Sequence, residues 1–174
     1  MKNKFIVFFP VMGLLILLII SGGVMVSGSD SNSGNAGKKV TGIGGIFFKC
    51  KNPEEMRKWY SDNLGLKTNE YGSLFEFRLA DEPEKKAYLQ WSPFKDSTKY
   101  FEPSAKEFMI NYRVQNIEKL VAGLKRAGVV VLDTIETYEY GKFVHIMDPE
   151  GNKIELWEPI DSPFTESFNG ETTK

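Results

Sequence analysis

The sequence predicts an α+β domain. Two paired βαβββ modules should form a curved, cup-shaped mixed sheet with helices outside, preceded by an N-terminal hydrophobic helix. Three observations predict this. An apolar run at the start gives way to a Ser/Gly/Asn-rich stretch, "SGSDSNSGNAGKK", which marks a flexible linker. From Val40 onward one order of elements, strand, helix and three strands, occurs twice. The chain closes on "FVHIMDPEGNKIELWEP", two alternating runs about a turn.

The first element is the run from Phe5 to Val26. It approaches the roughly 20 residues that an apolar helix needs to cross a bilayer. Lys2 and Lys4 precede it, so residues 1–4 are expected in the cytoplasm and the domain outside. The competing reading is a cleaved signal segment that releases a secreted or periplasmic domain, although no A-x-A site is present. Residues 27–39 form the linker, 40–159 the domain, and 160–174 a polar tail expected to be disordered.

In the first module "VTGIGGIFFKC" is β-prone. "NPEEMRKWYSDNLG" is a helix with Asn52 as N-cap, Pro53 at its first position and Gly65 at its stop. "LKTNEY", "SLFEFRLA" and "KAYLQWSP" supply three strands. In the second module "KEFMINYRV" is the strand. "NIEKLVAGLKRAG" is the helix, capped by Asn116, with Ile117, Leu120, Val121 and Leu124 on one face. "VVVLDTIETY", "KFVHIMD" and "NKIELWEP" are the last three strands. The spacer "FKDSTKYFEPSA" is long for a plain connection and is placed to fold over a site.

Composition narrows the function. With 22 basic and 23 acidic residues the net charge is −1, and no basic stripe invites nucleic acid. The single cysteine, Cys50, cannot form an intrachain disulfide. One histidine, His145, excludes any metal site built on two imidazoles. "GIGGI" lacks the rest of a phosphate-loop pattern, so its glycines point instead to close backbone approach.

The duplicated βαβββ order, the helix end "WYSDNLGL" and the closing D-P-E-G-x-x-I-E-L together resemble the vicinal oxygen chelate superfamily, over about residues 40–159. That group includes glyoxalase I, bleomycin- and fosfomycin-resistance proteins and extradiol dioxygenases. The resemblance implies a cup-shaped site, and dimers are common in the group. In its metal-dependent members four strands each supply one ligand. Carried onto this chain, those positions fall on Gly45, on Leu89 or its neighbour Gln90, on Met109, and on Glu155. Only Glu155 keeps a family ligand, which is too few for a catalytic divalent ion, so no metal and no other cofactor is expected.

A three-residue loop with Gly151 in the left-handed position would set His145 opposite Glu155. Strand alternation then assigns the cup lining. Phe47, Trp91, Asn111, Arg113, Phe143 and Trp157 are the candidate ligand-binding residues, and Lys49 and Arg113 are expected to reach a solvated rim. Glu155 and His145 are the candidate catalytic pair of a lyase, isomerase or dioxygenase-type reading, with or without a divalent metal. The leading expectation is a small-molecule-binding domain, membrane-tethered or exported. The third alternative is a structural domain whose cup is filled by its own side chains.

Overall fold

The structure is a computed structural model that describes residues 40–168 and 170–174. The apolar segment 5–26 and the linker lie outside the described residues, and no described helix is long and apolar enough to cross a membrane. The first module contains β1 (Val40–Cys50), α1 (Pro53–Leu64), β2 (Thr68–Asn69), β3 (Gly72–Arg78) and β4 (Lys86–Lys95). The second contains β5 (Phe108–Val114), α2 (Ile117–Arg126), β6 (Val130–Val131), β7 (Glu136–Tyr138), β8 (Gly141–Met147) and β9 (Lys153–Pro159), followed by α3 (Ser162–Ser167).

The strands form one mixed sheet in the order β2-β3-β4-β1-β5-β9-β8-β6, with β7 also on β8. Each module keeps its strands together, and the two meet along the antiparallel β1–β5 pair. Within each module the first strand runs parallel to the last, β1 with β4 and β5 with β9. This is the duplicated pattern expected from the sequence. β1 shifts register twice, between Val40 and Gly42 and between Ile43 and Gly45.

Local chemistry explains the helices. The Asn52 side chain accepts from the Glu55 amide at 3.2 Å, and Gly65 ends α1 at φ 72. Helix α2 is capped differently from expectation. Asn116 is left-handed, at φ 52 and ψ 58, and its side chain makes no capping bond. The Glu158 carboxylate, reaching over from β9, accepts instead from the Asn116 amide at 2.7 Å and the Ile117 amide at 3.4 Å. It satisfies orphan donors and opposes the positive end of the helix. The buried face of α2, Ile117 and Val121 with Leu120 and Leu124, packs on Val114, Val144 and Leu156 of the sheet.

Two expectations need correction. "VVVLDTIETY" is not one strand: β6 and β7 are short, and the break between them carries Asp133. The tail is not structureless. After Asp161 it forms α3, and Thr173 then bridges to Phe75, donating its amide to the Leu74 carbonyl at 2.9 Å. That pairing covers a stretch of β3 edge that β2 is too short to reach.

Candidate functional site: a sealed carboxylate in the cup

The closing hairpin has the register that its turn dictates. The Asp148 amide donates to the Asn152 carbonyl at 3.1 Å, Gly151 sits at φ 77, and His145 lies opposite Glu155. On the other side, parallel pairing with β5 sets Asn111 beside Glu155 and Arg113 beside Trp157. One row across the concave face therefore reads Gln90, Gly45, Asn111, Glu155, His145.

Glu155 is 1% exposed, and donors surround its carboxylate. Its Oε1 accepts from the Tyr100 hydroxyl and from His145 Nε2 at 3.0 Å, and its Oε2 accepts from Asn111 Nδ2 at 2.5 Å. The far side of the imidazole is held too. Asp133 takes His145 Nδ1 at 2.6 Å and the His145 amide at 2.8 Å. Lys153 donates to the Tyr100 carbonyl at 2.7 Å and lies over the Tyr100 ring. Tyr100 also stacks on Phe94, and the adjacent Phe101 is fully buried against Phe47 and Met109.

The titrations follow from this arrangement. Burial opposes a charge on His145, but its hydrogen bonds to Asp133 and Glu155 outweigh it and raise the imidazole to about 9. Burial likewise opposes ionisation of Glu155, and the bonds from His145, Tyr100 and Asn111 overcome it, so the carboxyl is held below its ordinary range. Asp133 is lowered in the same way: burial is outweighed by His145. Burial and the neighbouring Glu155 charge push the Tyr100 phenol well up. At neutral pH the cluster holds two carboxylates and an imidazolium, and burial lowers the Lys153 ammonium from its ordinary value.

The opposite end of the cup is aromatic. Phe143 stacks on Trp157 at 5.7 Å, and the Trp157 indole donates to the Tyr140 carbonyl at 3.0 Å. Arg113 is 1% exposed, which corrects the expectation of a solvated rim residue. Its guanidinium lies over Trp157 and forks onto Asp161 at 3.0 and 2.5 Å. Gly44 makes these approaches possible. A Cβ there would stand 2.2 Å from Asn111 Oδ1 and 2.7 Å from Trp157.

Of the candidate residues, Phe47, Asn111, Arg113, Phe143, His145, Glu155 and Trp157 face the cup. Trp91 does not. It packs on Tyr60 of α1 and on Phe48, because Gly45 pairs with Gln90 and so Gln90, not Leu89, takes the concave face. A strand's side chains alternate between faces, so the single step from Leu89 to Gln90 exchanges every side chain of β4 between the two faces. Lys49 lies over the Phe101 ring. Asp133 and Tyr100 were not singled out from sequence. The long spacer was the one signal for Tyr100, and the β-breaking Leu-Asp in "VVVLDTIE" was the available signal for Asp133.

The family positions test the metal directly. Gly45 has no donor, and Met109 is buried among Phe47 and Phe101. Gln90 Nε2 is turned to the Tyr71 carbonyl and Ser92. Both oxygens of Glu155 and both nitrogens of His145 are engaged by protein partners. No group of three or more His, Cys, Asp or Glu suited to an ion occurs among the described residues. This donor set does not fit a divalent ion.

The sequence profile of the Glyoxalase/Bleomycin resistance protein/Dioxygenase superfamily matches residues 42–156, and the chain belongs to that superfamily. Among solved structures it is similar to methylmalonyl-CoA epimerase from Mycobacterium tuberculosis, at 20% identity and a TM-score of 0.50, covering 76% of this chain and 97% of that one. It is also similar to a superfamily member from Vibrio splendidus 12B01, at 14% identity and a TM-score of 0.44, covering 67% and 97%. A third is the Mn(II)-bound glyoxalase from Novosphingobium aromaticivorans, at 19% identity and a TM-score of 0.46, covering 69% of this chain and 39% of that one. No curated protein matches the chain.

Proposed function

We propose that this chain is a metal-independent small-molecule-binding domain of the glyoxalase/bleomycin-resistance type, carried outside the cytoplasm by the apolar segment 5–26. The observation that carries this reading is the hydrogen-bonding of Glu155. The residue that would anchor a metal in this superfamily is instead saturated by Tyr100, His145 and Asn111. The result is a fixed polar patch in an aromatic cup, the make-up of a recognition site.

The same geometry argues against either member of the pair as a general base. A general base works best near the operating pH. Glu155 is lowered and His145 is already protonated at neutrality, so neither readily accepts a proton. One observation favours a second reading, a structural domain with a filled cup: Phe47, Phe101 and Met109 bury one another where a ligand would enter beside Glu155.

Native mass spectrometry and elemental analysis of residues 38–174 test the proposal. The expected result is no stoichiometric divalent ion, together with a bound small molecule that is lost on Glu155→Gln. A stoichiometric ion overturns the metal-independent reading. A folded domain that takes no ligand from a broad small-molecule collection favours the filled cup.

A further inference from the structure

Arg113 is the largest of the fully buried side chains; its Nη1 donates to the Tyr88 carbonyl of β4 at 3.1 Å, but its anionic partner does not come from the sheet. A buried guanidinium is tolerated only when paired, because its desolvation is otherwise uncompensated. Here the pairing rests on Asp161, at the head of the short helix α3, none of whose residues is buried. Helix α3 is held to the cup at two further points. Phe164 packs edge-on to Trp157 at 5.8 Å and against Tyr88 at 5.5 Å, and Thr165 shares a hydrogen bond with the Tyr88 hydroxyl at 2.8 Å.

The segment therefore presents a carboxylate and an aromatic ring, three residues apart, to an arginine standing on a tryptophan. Asp161 meets the guanidinium end-on through Nη1 and Nη2. The buried Nε of Arg113 has no hydrogen-bond partner among the described residues. A carboxylate arriving side-on would take Nε together with Nη2, the other bidentate mode open to arginine.

We propose that the Arg113–Trp157 end of the cup is a binding site for a small aromatic carboxylate, whose resident occupants in the free chain are Asp161 and Phe164. The inference rests on the small-molecule reading above and names its ligand class. Exchange replaces one carboxylate by another, so Arg113 is not left unpaired. The ligand's ring takes the place of Phe164 against Trp157 and Tyr88. Affinity is set by competition with α3, and any change that weakens the resident occupant raises it.

The test titrates phenylacetate, with phenylacetamide as control, into the full chain and its variants by calorimetry. Deuterium uptake over residues 160–167 is followed in parallel. Phenylacetate should bind Phe164→Ala about tenfold more tightly than the native chain, as expected when the competing state is depopulated. Phenylacetamide should stay silent, and saturating phenylacetate should raise deuterium uptake across α3. Asp161→Asn should show a larger gain; if it fails to fold, Phe164→Ala, which keeps the ion pair, decides. Equal affinity in native chain and Phe164→Ala, or binding that persists in Arg113→Lys, overturns the proposal. Absence of any Glu155-dependent ligand in native mass spectrometry would count against the small-molecule reading. Retention of that ligand with no response to phenylacetate would remove only the carboxylate site.

Discussion

A carboxylate removed from solvent keeps its charge only where donors replace the lost water, and Glu155 has three of them. His145, between Glu155 and Asp133, ties that charge to pH. Its folded value, about 9, lies above the ordinary 6.5. The stability it contributes is therefore fully present below pH 6.5 and lost as pH rises through 9. The shift corresponds to roughly 3 kcal/mol, shared with the two carboxylates. Asp133 and Glu155 act in the opposite sense, contributing above their ordinary values of 3.8 and 4.5 and failing as acid overtakes their lowered ones. Urea melts should show a plateau between about pH 5 and 6.5 and a decline toward pH 9.5. In His145→Gln the alkaline decline should flatten. An unchanged decline in that variant would show that another group sets it. The His145–Glu155 pair was legible in the sequence because a hairpin of known turn type fixes who faces whom. Tyr100 and Asp133 were not, because they sit in connections where no periodicity assigns a direction to a side chain.

Among the elements, α2 separates what pattern reveals from what it conceals. Its apolar face follows from spacing alone, and Ile117, Leu120, Val121 and Leu124 lie where a period of 3.6 puts them. Its cap does not follow. Asparagine before a helix is the ordinary N-cap, yet Asn116 serves here as the residue that tolerates a left-handed backbone, and the capping group arrives from 42 residues further on. Glu158→Ala should lower stability by about 1 kcal/mol, read from urea melts, while Asn116→Gly should be close to neutral. The reverse ranking would return the cap to Asn116. Strand β4 makes a related point. Its existence was plain from "KAYLQWSP", but its facing depended on register with β1, which a comparison of two tryptophans could not supply. A single step exchanged Trp91 for Gln90 on the concave side. The tail departs from expectation for a simpler reason: polar composition argues for disorder, whereas Asp161, Phe164 and Thr173 are held by specific partners on the sheet.

At the scale of the whole molecule the two modules share a form but not a task. The ionisable groups around Glu155 come from the second module and the spacer. The first contributes Gly44, Gly45, Phe47 and Gln90, which shape the space without charging it. The architecture was readable from the repeated order of elements, and that division was foreshadowed by a glycine at the first ligand position. The modules nonetheless depend on each other through the β1–β5 seam. Residues 106–174 produced alone should associate through the bared β5 edge and sediment as dimers or larger species. A monomeric fragment with a cooperative melt would show instead that this module is self-sufficient. The seam has a further consequence. Its two slips in register lie in β1, which lends the cup no charged group at Glu155, and such irregularities bend a strand and tighten its twist. Curvature of the hollow thus depends on backbone accommodation at a glycine-rich midline that lies directly against the groups that would recognise a guest, since Gly44 abuts Asn111, Arg113 and Trp157. Shape and selectivity are therefore coupled in this chain, because a side chain added at Gly44 would displace Asn111 and Trp157 together with the strand.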